Sequence, residues 1–128
     1  MDLKDYFENH KGLGVLATAD GEGRVDVAVY ARPHVTGEDT VALIMADRLS
    51  HANLQANPHA AYLFREGGEG YRGVRLMLTR TGEQTDAEKI EAMRRRKVPP
   101  VCPADEAEAR FLVTFHVDRV RPLVGDEA

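Results

Sequence analysis

The 128-residue sequence has no tryptophan, one cysteine (Cys102) and no long apolar run. A lone cysteine excludes an intrachain disulfide and a thiolate-built zinc site within one chain. That usage suits a reducing compartment. The opening MDLKDYFENHKG lacks the basic start and apolar stretch of a secretory leader, so a cytoplasmic protein is expected. Nothing approaches the roughly 20 apolar residues of a membrane-spanning helix. Positive charge is also in short supply: 17 Lys and Arg against 21 Asp and Glu leave a formal net charge of −4. That balance offers no electrostatic footing for nucleic acid or an anionic membrane.

Motifs for several chemistries are missing as well. His10, His34, His51, His59 and His116 show no H-x-x-x-H pairing, and no metal site is expected. There is no G-x-x-x-x-G-K-[ST] phosphate loop, and no nucleophile–base arrangement can be read. No catalytic residue is assigned. What is present is a hydrophobic fraction of 43%, enough in a chain of this length for one core. A single domain over residues 1–128 is expected.

Hydrophobic periodicity supplies the elements. Asp2 to His10 carries Leu3, Tyr6 and Phe7 at helical spacing, with Gly12 as the stop. GLGVLATAD and GRVDVAVYARP flank DGEG and predict a hairpin. TVALIMA (40–46) is apolar at almost every position and predicts a strand covered on both faces. HAAYLFRE, YRGVRLMLTRTGE and RFLVTFHVDRVRPL read as further strands. Between the last two, Thr85 and Glu88 have capping-box spacing, and RRRK (94–97) predicts a solvated helix end. Strands outnumber helices without βαβ alternation. A mainly β fold is expected, with six antiparallel strands closed into a small barrel that avoids exposed edges.

One junction asks for more than a bland turn. In MADRLSHANLQANP (45–58) the apolar strand runs into Arg48, Ser50 and Asn53 at the start of a short helix. A helix start offers backbone N–H groups and partial positive charge, and Arg48 adds a planar cationic fork suited to phosphate. The same residues also fit a simple helix cap by Asp47 or Ser50. Spacing alone leaves both open.

Taken together, GLGVLATADGEGRVDVAVYARP, TVALIMADRLSHANLQANPHAAYLF and YRGVRLMLTRTGE resemble the pyridoxamine 5'-phosphate oxidase-like family of FMN-binding split β-barrels, in its short FMN-binding protein form. The likeness runs from about Gly12 to Leu123, and its most telling part is the NL-x-x-NP of Asn53, Leu54, Asn57 and Pro58. The resemblance implies a homodimer with FMN at the subunit interface, and a small oxidoreductase or electron carrier acting on a small-molecule substrate or a redox protein partner. Arg48, Leu49, Ser50 and Asn53 would hold the FMN phosphate. Backbone groups of Val27, Ala28, Val29 and Tyr30 would bond the flavin ring, with Ala31 small enough for close approach. Gly73 would let another backbone near the flavin, with Tyr71 and Arg72 as lesser contacts and Arg32, His34 and Arg75 as candidate donors to the ring. True pyridoxamine phosphate oxidase activity is not expected, because the tryptophan-bearing substrate segment has no counterpart. The alternative is a module that binds haem or another flat ligand in the same groove, for which His34 or His116 would serve as axial ligand.

Overall fold

The computed structural model describes residues 1–93 and 110–125; the expected helix end at 94–97 and Cys102 lie outside the described residues. Helix α1 (Leu3–Asn9) starts at Asp2, whose carboxylate accepts a hydrogen bond from the Asp5 amide at 3.1 Å, and it buries Leu3 and Phe7. Strands β1 (Gly12–Ala19) and β2 (Val25–Val29) form the expected hairpin. Asp20 Oδ1 accepts from the amides of Glu22 and Arg24, each at 2.9 Å, and Gly23 supplies the positive φ of +86°. There follow β3 (His34–Val35), β4 (Thr40–Ala46), α2 (Leu49–Ala56), β5 (His59–Glu66), β6 (Gly73–Gln84), α3 (Ala87–Met93) and β7 (Arg110–Pro122). The cap of α3 is Asp86 rather than Thr85. Its Oδ1 accepts from the amides of Glu88 and Lys89 at 3.1 and 3.2 Å, and a carboxylate complements a helix start better than a hydroxyl does.

All pairings are antiparallel, in the order β2-β1-β5-β6-β7-β4-β3. This corrects the expected six-stranded, closed barrel: among the described residues there are seven strands, and the ladder does not close. The seventh is β3, two residues paired as His34 with Ala42 and Val35 with Val41. The two ends of the sheet, β2 and β3, are nonetheless consecutive in the chain. Five residue steps separate Val29 from His34, so the ends lie within roughly 18 Å of one another and the sheet must curl. Register shifts at Met77/Leu78 and Arg80/Gly82 mark the irregularities that let β6 and β7 bend.

The ladder stops between β2 and β3 because residues 30–33 engage other partners. The buried Tyr62 hydroxyl donates to the carbonyls of Tyr30 and Ala31 at 3.2 and 3.0 Å. Arg32 Nη1 donates to the carbonyls of Phe7 and His10, at 2.5 and 3.0 Å, at the end of α1. Pro33 has no N–H to offer. A split therefore opens in the barrel wall at this link.

Inside the curl, Leu16, Val41, Phe64, Leu76, Val113 and Phe115 have no exposed surface. They form one core with Phe7, Met45, Leu54 and Tyr62. As the apolar run 40–46 suggests, β4 is covered on both faces: Val41, Leu43 and Met45 enter the main core, while Ala42 packs with Ile90 of α3 and Leu112 of β7. Among the described residues no helix is long and apolar enough to cross a membrane.

Candidate functional site

The split opens into a groove of about 520 Å³. One wall is β2 and the link after it, with Val27, Ala28, Val29, Tyr30, Ala31 and Arg32. The other wall joins Leu43, Ile44 and Ala46 of β4 to Arg48, Leu49 and Ser50 at the start of α2, and to Arg110 at the start of β7.

Edge geometry decides what β2 shows to this groove. The Tyr30 N–H donates to the Gly14 carbonyl at 3.0 Å. By the alternation of an antiparallel ladder, Tyr30 and Ala28 turn their peptide groups toward β1, whereas Val27 and Val29 turn theirs away from it. No strand among the described residues pairs with that edge. Of the four residues read as ring contacts, Val27 and Val29 therefore offer backbone donors and acceptors, and Ala28 and Tyr30 line the groove with side chains.

At the other end, the N-cap of α2 is Arg48, in extended conformation, and its side chain makes no capping hydrogen bond. Neither Asp47 nor Ser50 is the cap. Asp47 instead lies beside His51, with Oδ1 to Nδ1 at 3.5 Å. Ser50 is buried, and its hydroxyl bonds that of Tyr30, with Arg48 close enough to act on the phenol electrostatically. Burial raises the Tyr30 pKa above its ordinary value, although Ser50 and Arg48 oppose the rise. The phenol stays protonated at neutral pH and can donate. One groove end thus gathers a helix start, two hydroxyls and a guanidinium. Leu49 contributes its backbone position there, its side chain being mostly exposed.

Asn53 must be corrected as a phosphate contact. It is 4% exposed, and its Nδ2 donates to Thr18 Oγ1 at 3.1 Å. One turn along α2, the side chain faces β1 and is absent from the groove lining. Its part is to tie the helix to the barrel.

Other expected contacts also lie elsewhere. Gly73 serves strand packing, because a Cβ there would stand 1.8 Å from the Phe64 carbonyl oxygen. Tyr71 sits at the β5–β6 hairpin beneath Arg65, whose guanidinium carbon is 5.8 Å from the ring centroid, and Arg72 accepts from the Glu66 amide through its carbonyl. Arg75 donates to the carbonyls of Pro122, at 2.8 Å, and Gly125. His116 is held outside the groove by Asp118 and Asp39, at 2.7 and 3.0 Å, whereas His34 lines it. Reading the sequence alone missed Arg110. The β4–β7 register places it opposite Ala46, two residues before Arg48. Among the lining residues, arginines 32, 48 and 110 face a single carboxylate, Asp26.

No family model matches the sequence, and no curated protein matches it. Solved structures do. The chain is similar to an FMN-binding protein from Syntrophomonas wolfei subsp. wolfei, with a TM-score of 0.77 at 14% identity over 98% of this chain and 86% of that one. It is also similar to HupZ of Group A Streptococcus, at 0.69 and 22% over 98% and 95%. A candidate pyridoxamine 5'-phosphate oxidase from Lactobacillus delbrueckii gives 0.63 and 18% over 92% and 88%. The class defined by these likenesses is the split β-barrel. Within it, the chain has the fold of FMN-binding and pyridoxamine 5'-phosphate oxidase-like proteins.

Proposed function

We propose that the protein binds FMN in the groove at the barrel split and acts as a small oxidoreductase or electron carrier. The observation that carries this reading is the start of α2. It lacks a side-chain cap, opens on a groove, and is flanked by Arg48, Ser50 and the Tyr30 hydroxyl. Such a start favours a phosphate through its backbone N–H groups and its dipole.

The rest of the groove fits a flat, heteroatom-rich ring. Val27 and Val29 turn peptide groups toward it, and Ala28 and Ala31 leave room beside the strand. When bound, FMN supplies the redox chemistry, exchanging a hydride or single electrons with a small-molecule substrate or a redox protein partner. The chain's residues orient it. Arg48, Ser50 and Tyr30 fix the phosphate end, β2 fixes the ring edge, and the Tyr62 bond to the link holds the wall between them.

A homodimer completes the reading. Val29 and Leu63 pair across the sheet through Val15, and Val27 and Ala61 through Ala17, forming an apolar band on the outer face. Val27 and Val29 are 67% and 73% exposed. A contiguous apolar patch on a sheet is commonly an interface, and burying this one against a second copy would cover the groove's mouth. Haem is the second reading, favoured by the place of His34 in the groove. An equilibrium titration with FMN tests the primary one. Arg48→Ala should weaken binding by about 1.5–3 kcal/mol, the worth of a charge-assisted hydrogen bond. Unchanged affinity would place the phosphate elsewhere.

A further inference from the structure

Tyr30 follows β2 directly, and every polar group it owns is engaged. Its N–H donates to the Gly14 carbonyl at 3.0 Å, its hydroxyl bonds that of Ser50, and its carbonyl accepts from the Tyr62 hydroxyl at 3.2 Å. Tyr62 is buried and reaches the Ala31 carbonyl as well, at 3.0 Å. Two features bring its phenol there. Gly14 leaves room, since a Cβ at that position would stand 1.9 Å from Tyr62 Oη. Phe7 of α1 lies edge-on to the Tyr62 ring, with centroids 6.3 Å apart and planes at 71°, and the Phe7 carbonyl accepts from Arg32. The end of the wall is therefore gripped at three consecutive residues, by Tyr62 and by α1.

A peptide unit is planar, so the bond of the Tyr30 N–H to Gly14 turns the Val29 carbonyl the opposite way, off β1 and toward the groove. The Tyr62 bond fixes the next peptide unit, between Tyr30 and Ala31. Swinging the Val29 acceptor out of line breaks both bonds. Resting on the FMN reading, we infer that Tyr62 is a positioning residue of the flavin site, whose hydroxyl holds the ring-edge wall in place before a ligand arrives. Its side chain stands behind the wall and is absent from the groove lining. A wall ordered in advance spares the ligand the cost of ordering it. Because the ring edge is common to FMN and riboflavin, the benefit is the same for both.

The test is Tyr62→Phe in the full chain, which keeps the ring and removes the hydroxyl. Dissociation constants for FMN and for riboflavin should both rise roughly five- to thirtyfold, by factors equal within about twofold. In the ligand-free protein, hydrogen exchange at the Tyr30 amide should accelerate while the amides of β6 and β7 keep their rates. Replacing Tyr62 by 4-aminophenylalanine returns a donor to the same ring position and should restore both readouts in part; it carries the comparison with wild type should the phenylalanine variant not fold. A lower Tm with both constants and the Tyr30 exchange rate unchanged would make Tyr62 a core residue only and overturn the inference. A loss for FMN that spares riboflavin would overturn it too, by placing the effect at the phosphate. A wild type that takes up neither flavin overturns the FMN reading and this inference together, whereas a wild type that binds FMN beside an indifferent variant overturns this inference alone.

Discussion

Replacing Asn53 by alanine separates the two roles that its position permits. The structure makes it a tether, so Asn53→Ala should lower stability without altering the choice between FMN and riboflavin. The substitution removes one hydrogen bond between neutral groups, Nδ2 to Thr18 Oγ1, and both residues are buried. The bond is worth about 1 kcal/mol net, and stripping a buried hydroxyl of its donor brings the cost to about 1–3 kcal/mol. For a chain of this length that is roughly 4 °C in Tm per kcal/mol, or about 4–12 °C in all. The assay is denaturation of the ligand-free protein, repeated for Thr18→Val and for the double variant. A coupling of about 0.5–1.5 kcal/mol between the two sites is expected, because each single change removes the same bond. Full stability together with a loss of FMN affinity that spares riboflavin would refute the reasoning. It would return Asn53 to the phosphate.

Three further outcomes follow from individual contacts. Gly14→Ala should cost about 3 kcal/mol or more in a denaturation measurement, since its Cβ would stand 1.9 Å from Tyr62 Oη and 2.4 Å from the Tyr30 carbonyl oxygen; an unchanged Tm would contradict the packing. Burial raises the Glu83 pKa, but hydrogen bonds from Gln55, His51 and Arg80 outweigh it and bring the group to about 2. Its contribution is full above the ordinary value near 4.5 and is lost as pH falls toward 2, so Glu83→Gln should flatten the stability profile in that window. The bonds of His116 to Asp118 and then to Asp39 raise its pKa above 6.5. The stability it adds is complete below 6.5 and is lost as pH rises through the raised value; Tm scans of His116→Gln should lack that alkaline decline.

The elements with clear periodicity were legible from the residues. The limits of β4 and β5 fall where TVALIMA and HAAYLFRE place them, and β4 is covered on both faces as its composition implies. What escaped was whatever depends on partners distant in the chain. β3 has two residues, too few to show a period, and the link before it owes its course to Tyr62, far along the chain in β5, and to the bonds of Arg32 to the end of α1. Arg110 became a groove residue only through the register of β7 on β4. Asn53 misled because an amide near a helix start suits a phosphate as well as it suits Thr18. Gly73 misled for a similar reason, since the close approach it permits is to Phe64. Arg48 and Ser50 could be placed together from the residues alone because strand, turn and helix start are contiguous there.

The most direct test of the central claim is the visible absorption spectrum of the full chain after incubation with FMN and removal of free ligand by gel filtration. The FMN reading predicts a yellow protein with the two flavin bands, in about one equivalent per chain, eluting as a dimer. A colourless protein after that treatment, or one that retains haem with a Soret band in place of flavin, would contradict it.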